Sequence, residues 1–399
     1  MHHDTTPDSV QFPQNINPAK KFLYAGIAGL LVSFAGYFAD HDQFFYSYLT
    51  SFSFVASFAI ASLFLVMVHH ITRSSWAITL RRIPETSASN LIWVGVMFIP
   101  VLFGMHSLYH WTHAEAVATD ALLQGKAPYL NVPFFIVRNV IYFSFWGYLG
   151  YKLYKNTIAL DQTNDWGIET QQRKISAPGL FLFGFSVAFA SFDWLMSLDP
   201  HWFSTMFGVY YFAMSFQATL AAVLLVALYL RGKGLLTNTI GEAEYSSLGK
   251  LMFGFTVFYA YIGFSQFFLI YYANIPEETL WFYHRLEGGW EYISYGLILA
   301  RFAIPFFILL PASSKKNLGI LKFMAAWIIV VHFIEQYWIV MPNRGLTNPD
   351  YHYIAPHWMD LTTLVGLVGI SLWLFFDKFG KAPMVCVNDP KFQESQHSH

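Results

Sequence analysis

The sequence predicts an all-α, polytopic membrane protein with about ten transmembrane helices, and three observations lead there. Hydrophobic residues fill 55% of 399 positions. Charged residues make up only 12%, where a soluble domain carries about 25%. Apolar runs of about 20 residues, the length that crosses a hydrocarbon core, recur down the chain. Membrane-spanning strands would alternate in polarity over short segments, whereas these runs are continuously apolar and dotted with Gly, Ala and Ser, as helices allow.

The polar start, MHHDTTPDSVQFPQNINPAKK, shows no apolar region or small-residue cleavage site ahead of the first span, so no removable signal peptide is expected. The first run, near 22–39, follows Lys20 and Lys21, and its Gly26, Gly29 and Gly36 have the small-residue pattern of close helix packing. The second, 44–69, stops before Arg73, Arg81 and Arg82, and the third, 89–109, runs into HSLYHWTH. The fourth, 133–155, ends at Lys152 and Lys155, and the fifth, 178–198, follows Arg173 and Lys174 and closes at Pro200. Next come 205–231, stopped by Arg231 and Lys233, 248–273, opened by Lys250, and 290–311, closed by Lys315 and Lys316. The ninth, 319–341, carries Lys322 at its start, and the tenth, 357–377, precedes Lys378, Lys381 and Lys391.

Those cations are 18 of the 23, and alternation of the spans puts them all on one side with both termini. The opposite loops hold Lys126, Arg285 and Arg344, and Arg138 and Arg301 fall inside spans. By the positive-inside rule both termini are cytoplasmic. No domain boundary is visible, so the expected organisation is one integral domain: a tail over 1–21, a bundle over 22–377 and a tail over 378–399. The longest connections, near 110–132 and 274–289, stay aromatic and are expected to be structured. Cys386 is the only cysteine, so this chain alone makes no disulfide, iron-sulfur cluster or cysteine zinc site.

Ionisable side chains inside spans cost roughly 2.5–3.5 kcal/mol each near a helix centre, so each needs a partner, a watery cavity or a protonated carboxyl. Asp193 lies in the fifth span, Arg138 opens the fourth, Arg301 sits midway in the eighth, His332 and Glu335 lie in the ninth, and Asp360 begins the tenth. Most fall in the outer half. The inner half offers only His69 and His70, beside Arg73, where reaching water is expected to be easy. His332 and Glu335 are spaced i, i+3 on one face and are suited to sharing a proton or to joining helices. Arg301 stays charged and is expected to neutralise a carboxylate; Asp193 and Glu335 both qualify. Asp193, His332, Glu335, Arg301 and Asp360 thus form the candidate proton path.

Asp199 and His201 read as turn residues, because Pro200 disfavours helix at Asp199. On a continuous helix Asp193 and Asp199 lie about 240° apart, which excludes a carboxylate dyad. His106, His110 and His113 form an i, i+4, i+7 stripe among interfacial aromatics, and an interfacial role outweighs haem or metal ligation. No metal site is assigned, and neither CxxCH nor HExxH is present.

Four stretches, LYHWTH (108–113), YLNVPFFIVRNVIYFSFW (129–146), SFDWLMSLDPHWFSTMFGVYYF (191–212) and GKLMFGFTVFYAYIGFSQFFLIYYANIPEETLWFYHRLEGGW (249–290), closely resemble the NrfD-like, polysulfide-reductase membrane-subunit family. Within it they are most similar to the F-subunit branch of bacterial alternative complex III, a quinol:electron-acceptor oxidoreductase. The resemblance covers most of the chain and is strongest over spans three to eight. It implies two four-helix bundles, near spans two to five and six to nine, plus a peripheral helix pair, in a bacterial inner membrane. It also implies partners: an NrfD-like paralogue, an iron-sulfur protein, multihaem and monohaem c-type cytochromes and a haem-copper terminal oxidase. The iron-sulfur clusters and c-type haems would reside on those partners, with menaquinol the implied donor and no cofactor bound by this chain alone. Onto this sequence the motifs carry Asp193, Asp199, Arg138, His284, Arg285 and Glu287. With His106 and His110 the last five form a candidate quinone pocket or outer polar cluster. A quinol site in this family would want a proton-accepting carboxylate early in span four, where this chain has Arg138-Asn139. That departure favours proton conduction or scaffolding over quinol oxidation here.

The leading expectation is an integral subunit of a quinol-oxidising respiratory complex that supports quinol access or assembly and conducts protons. The alternatives are a stand-alone secondary transporter with Arg301 and Glu335 lining its cavity, and a purely structural scaffold. Nucleic acid is not an expected partner; membrane lipids are.

Overall fold

The computed structural model describes residues 11–163, 165–347, 352–386, 388, 389, 391 and 392. It contains ten helices long and apolar enough to cross a membrane. They are α1 (Ala19–Tyr37), α2 (His41–Thr72), α3 (Arg82–Phe103), α4 (Val132–Thr163) and α5 (Trp166–Trp194). The second half comprises α6 (Phe207–Gly232), α7 (Glu242–Ala273), α8 (Trp290–Leu309), α9 (Leu318–Val340) and α10 (Trp358–Phe379). Each predicted span is present, and among the described residues there is no strand, only an isolated bridge between Gln11 and Pro383. The all-α polytopic fold therefore stands. In hydrocarbon a helix is the open-chain form that satisfies its own backbone groups.

Helices α2–α5 pack as one bundle and α6–α9 as a second, while α1 lies almost wholly against α10. Helix α2 sits at the centre, touching α3, α5, α6, α9 and α10, and is buried along nearly its whole length. Large apolar side chains on the outer helices, such as Phe103, Phe181, Tyr261 and Phe307, face outward, as lipid contact requires.

The α1–α10 contact is made by glycine. A Cβ on Gly26 would lie 2.7 Å from Ile370 N, and one on Gly29 would lie 2.6 Å from Gly366 N. The backbones touch because the side chains are missing, as the small-residue pattern predicts. Gln14 donates to Gly380 O at 2.8 Å and the Gln11–Pro383 bridge lies beside it, so both termini meet on one face of the bundle, here the terminal face. The opposite face is the distal face. Short helices Ala114–Thr119, Ala121–Lys126 and Pro276–Tyr283 structure the two long distal connections. The C-terminal tail is folded down too, with Met384, Val385 and Cys386 buried.

Two spans depart from simple helices. The third was expected over 89–109, but α3 begins at Arg82, is divided near Ser89-Asn90 and at Phe98, and ends at Phe103. Its early start is allowed because Arg82 and Glu85 pair with each other inside the helix. In α8 residues Ile298–Ala303 form a π-helical turn. Pro305 follows; lacking an N–H, it leaves the Arg301 carbonyl without its α-helical donor, and a widened turn accommodates that.

Candidate functional site

The five residues of the expected proton path fall into three separate clusters. Two of the clusters are the cores of the two bundles.

In the first bundle Asp193, near the distal end of α5, is fully buried. It accepts Arg138 Nε at 2.9 Å and Nη2 at 2.8 Å, a two-pronged pairing, together with the Tyr142 hydroxyl at 3.0 Å. The third nitrogen, Nη1, donates to Tyr129 O at 2.8 Å, and the guanidinium lies 3.9 Å from the Tyr129 ring centre. The fork engages both oxygens of Asp193 and two nitrogens of Arg138. Next to it Trp194 Nε1 donates to Asn139 Oδ1 at 2.6 Å. Arg138-Asn139 and Asp193-Trp194 are thus two adjacent dipeptides clamping α4 to α5.

In the second bundle Arg301, in the π turn of α8, takes Glu335 of α9 as its carboxylate, at 3.2 Å from Nε to Oε2. That resolves the choice between Asp193 and Glu335. Arg301 Nη1 donates to Ile328 O at 3.0 Å, and Nη2 donates to Met214 O at 2.8 Å and contacts His332 Nδ1 at 3.5 Å. A guanidinium only donates, so Nδ1 is the acceptor and the ring proton sits on Nε2, which faces Ser57 Oγ of α2 at 2.9 Å. Glu335 Oε1 accepts the hydroxyls of Tyr210 and, at 2.5 Å, Tyr259. Arg301, His332 and Glu335 are all fully buried. This pairing lacks the fork: despite their 3.2 Å approach, Arg301 Nε and Glu335 Oε2 are not aligned as donor and acceptor, and neither has another partner among the described residues. Glu335 keeps a lone-pair site that Asp193 has filled.

Asp360 belongs to neither bundle core. It caps α10, accepting His357 N at 2.8 Å, and binds Ser47 at 2.5 Å and Gln43 at 2.9 Å on α2. The capping box explains its presence without a proton route.

The expected outer polar cluster is also divided. His110, Asp199 and His284 do line one distal cavity of 190 Å³, joined by His201 and Glu277. The turn at Asp199 is as predicted, but α5 ends at Trp194, so the angle reckoned for a continuous helix does not apply; no contact joins Asp199 to Asp193. Burial lowers the pKa of both His110 and His284, so both rings favour the neutral form. His106 is exposed and stacks on His113 with ring centres 3.9 Å apart. The three histidines do not share one helical stripe, because the α-helical turn stops at Leu108 and a 3-10 turn follows. Arg138 is committed to Asp193, and Glu287 is exposed beside His352 at 3.5 Å. Arg285 is buried against Trp281, 3.6 Å from the ring centre, and donates to the carbonyls of Trp281, Trp338 and Ile339. Burial pushes its guanidinium down to about 9, which leaves it charged at neutral pH.

One cluster escaped sequence reasoning. Beneath the terminal face Glu85 of α3 lies 3.0 Å from Arg81 Nε and 3.3 Å from Arg82 Nη1, and accepts Thr157 at 2.9 Å. Arg82 also binds Asp161, and Arg81 binds Asp389 of the tail at 2.7 Å. His69 and His70 were expected to reach water; instead both are buried here, with His70 Nε2 4.0 Å from Glu85. The i, i+3 and i, i+4 spacing of Arg81, Arg82 and Glu85 was the available signal. The expected spans leave Arg81 and Arg82 in the connection between 69 and 89, because charges ordinarily end a span.

No protein-family model matches this chain, and no curated protein matches it either.

Proposed function

We propose that this chain is an integral membrane subunit of a bacterial respiratory quinol:acceptor oxidoreductase, with both termini cytoplasmic, in which Glu335 is the proton-handling group and the Arg138–Asp193 pair is scaffold. The multi-pass helical fold and the two-bundle arrangement support it, as does the resemblance of the long aromatic motifs to the NrfD-like family. The observation that carries the proton assignment is the contrast between two buried ion pairs. Both oxygens of Asp193 accept, from a fork and a tyrosine, whereas Glu335 accepts on Oε1 alone and keeps Oε2 unaligned with Arg301 beside two tyrosine hydroxyls and a histidine. An incompletely satisfied buried carboxylate next to relay-capable groups is where ionisation and proton transfer are most readily coupled to a small movement.

In this reading the widened turn of α8 is the movable element. A shift that draws Arg301 from Glu335 favours protonation of the carboxylate, and its return favours release. Electron transfer is assigned to partner subunits bearing iron-sulfur clusters and c-type haems, and menaquinol oxidation to the paralogue.

The test has two arms. Gentle solubilisation and affinity capture of the full chain should bring down haem-bearing partners; migration alone would favour a stand-alone transporter and overturn the complex assignment. Within the captured complex Glu335→Gln should lower protons translocated per electron while assembly is retained, and an unchanged stoichiometry at normal turnover overturns the role of Glu335.

A further inference from the structure

A cavity of 340 Å³ opens between the two bundles and α10, and no ion-paired residue described above lines it. Its walls are apolar: Phe54, Phe58 and Ala59 of α2, Ala222 and Val226 of α6, Leu372 and Phe375 of α10. Five polar side chains interrupt them; Thr219 of α6 donates to Ser215 O at 2.9 Å and Ser371 of α10 contacts Met97 Sδ at 3.9 Å, which leaves three, Ser62 of α2 and Ser87 and Asn90 of α3. Asn90 and Ser62 are only 7% and 2% exposed, and none of the three side chains has a hydrogen-bond partner among the described residues. Buried amides and hydroxyls are normally paired; here Asn90 and Ser62, with half-buried Ser87 beside them, line the cavity with hydrogen-bonding capacity left over.

The dimensions say what fits. Along α2 the wall from Phe54 to Ser62 spans about 12 Å, and along α6 from Thr219 to Val226 about 10 Å, at 1.5 Å per residue. Spread over that length, the volume corresponds to a groove roughly 9 Å from wall to wall, narrower than a helix of 10–12 Å and wide enough for a hydrocarbon chain. Water is a poor occupant, since each buried molecule needs two to four polar partners and most of the wall has none. The depth of the polar groups is equally specific. Ser87 and Asn90 lie about 8 and 12 Å along α3 from Arg82 at the terminal face, just below a headgroup layer of roughly 6 Å, which is where ester carbonyls meet acyl chains. Lys378, one turn beyond Phe375 on α10, holds a cation over that end, donating to Ser89 O at 3.2 Å.

We infer that this groove binds one phospholipid of the leaflet at the terminal face. Its ester carbonyl accepts from Asn90 and the neighbouring serines, one acyl chain runs toward Phe54, and its phosphate lies toward Lys378. The lipid is then a wedge between the bundles and α10, and its binding is independent of the Glu335 assignment.

The full chain, with whatever copurifies, is reconstituted in phosphatidylglycerol nanodiscs, released into detergent and examined by native mass spectrometry. One phospholipid should survive release. Ala222→Phe, which fills the channel, should remove it, and Asn90→Leu, which keeps the volume but not the amide, should lower retention about tenfold. Phosphatidylglycerol with a photoreactive acyl chain should label peptides containing residues 54–62 and 219–226, and Ala222→Phe should abolish that labelling. Should Ala222→Phe fail to fold, Asn90→Leu and the wild-type labelling map decide. A wild type that retains no lipid, equal retention in wild type and Asn90→Leu, labelling confined to other peptides, or a retained molecule with the mass of an isoprenoid quinone would each overturn the inference.

Discussion

Removing the carboxylate of Asp193 should be among the most damaging single changes in the molecule, and removing its partner along with it should restore most of the loss. In Asp193→Ala the buried Arg138 guanidinium loses two charged hydrogen bonds, at 2.9 and 2.8 Å, and Tyr142 loses its acceptor. Charged hydrogen bonds contribute about 1.5–3 kcal/mol each and a neutral one about 1, and breaking a buried pair from one side costs about 3–5 kcal/mol in total. Both groups are nearly inaccessible, so solvent screening offers little relief. The double variant Arg138→Met/Asp193→Leu leaves no buried charge and should lie within about 1 kcal/mol of wild type, or above it. Taken with the single variants Arg138→Met and Asp193→Leu, each leaving one buried partner unpaired, the coupling energy is at least about 3 kcal/mol, far outside the additivity of independent sites. Graded-denaturant unfolding in mixed micelles provides the measurement, with a thiol-reactive dye reporting exposure of the buried Cys386. If the single variant lost less than about 1 kcal/mol, or the double variant were as unstable as the single, the clamp would not be holding α4 to α5.

Further outcomes are expected elsewhere. Burial pushes the Cys386 thiol up to about 12, so the folded chain keeps a proton that the unfolded chain loses near the ordinary value of about 8.5. That contribution to stability is fully present below the unfolded value and is lost as pH rises toward the folded one. Maleimide labelling at pH 8 should therefore be slow, and Asp389→Ala, which frees the tail from Arg81, should speed it at least tenfold; an unchanged rate would mean that the ion pair does not hold the tail. Gly29→Ala places a methyl 2.6 Å from Gly366 N and should cost about 1–3 kcal/mol of melting stability. Gly184→Ala, with open space around it, should not; equal behaviour of the two would dismiss the close α1–α10 contact. On the distal face the His201 ring, 2.6 Å from Asp120, holds that carboxyl below the usual carboxylate range. A depressed carboxyl stabilises above its ordinary value and stops doing so as pH falls through the shifted one. Protection of the Leu122 and Leu123 amides, corrected for intrinsic exchange, should persist at neutral pH, fade below about pH 4 and be absent throughout in Asp120→Ala.

What the sequence made legible was set by local quantities. Hydropathy located ten spans because each must satisfy its own backbone in lipid, and Gly26, Gly29 and Gly36 marked the α1–α10 seam because absence of a side chain is visible without coordinates. Pairing was harder. Arg301 had two eligible carboxylates, and the answer depended on α8 lying against α9, which no residue of either helix announces. The widened turn that aims Arg301 inward has only Pro305 as its trace. At the terminal face Arg81 and Arg82 fall in an expected connection between spans, but reciprocal neutralisation with Glu85, with Asp161 and Asp389 brought from distant segments, lets them be buried. His69 and His70 followed the same error, since their distance from water depended on that cluster covering them. Asp360 was over-read in the other direction, an intramembrane carboxylate whose task is to begin a helix.

The bridge between Gln11 and Pro383, with Gln14 bound to Gly380, brings the segment before α1 and the segment after α10 to one spot, so the order of the helices in the gene is not the only order compatible with the packing. A short linker between those segments, with a new opening in the connection Lys233–Gly241, would give a circular permutant that starts at α7 and finishes at α6. In that permutant the α1–α10 pair becomes an internal hairpin. The second bundle would then be stitched together from the two extremities of the chain, which separates what the bundles owe to contact from what they owe to covalent continuity.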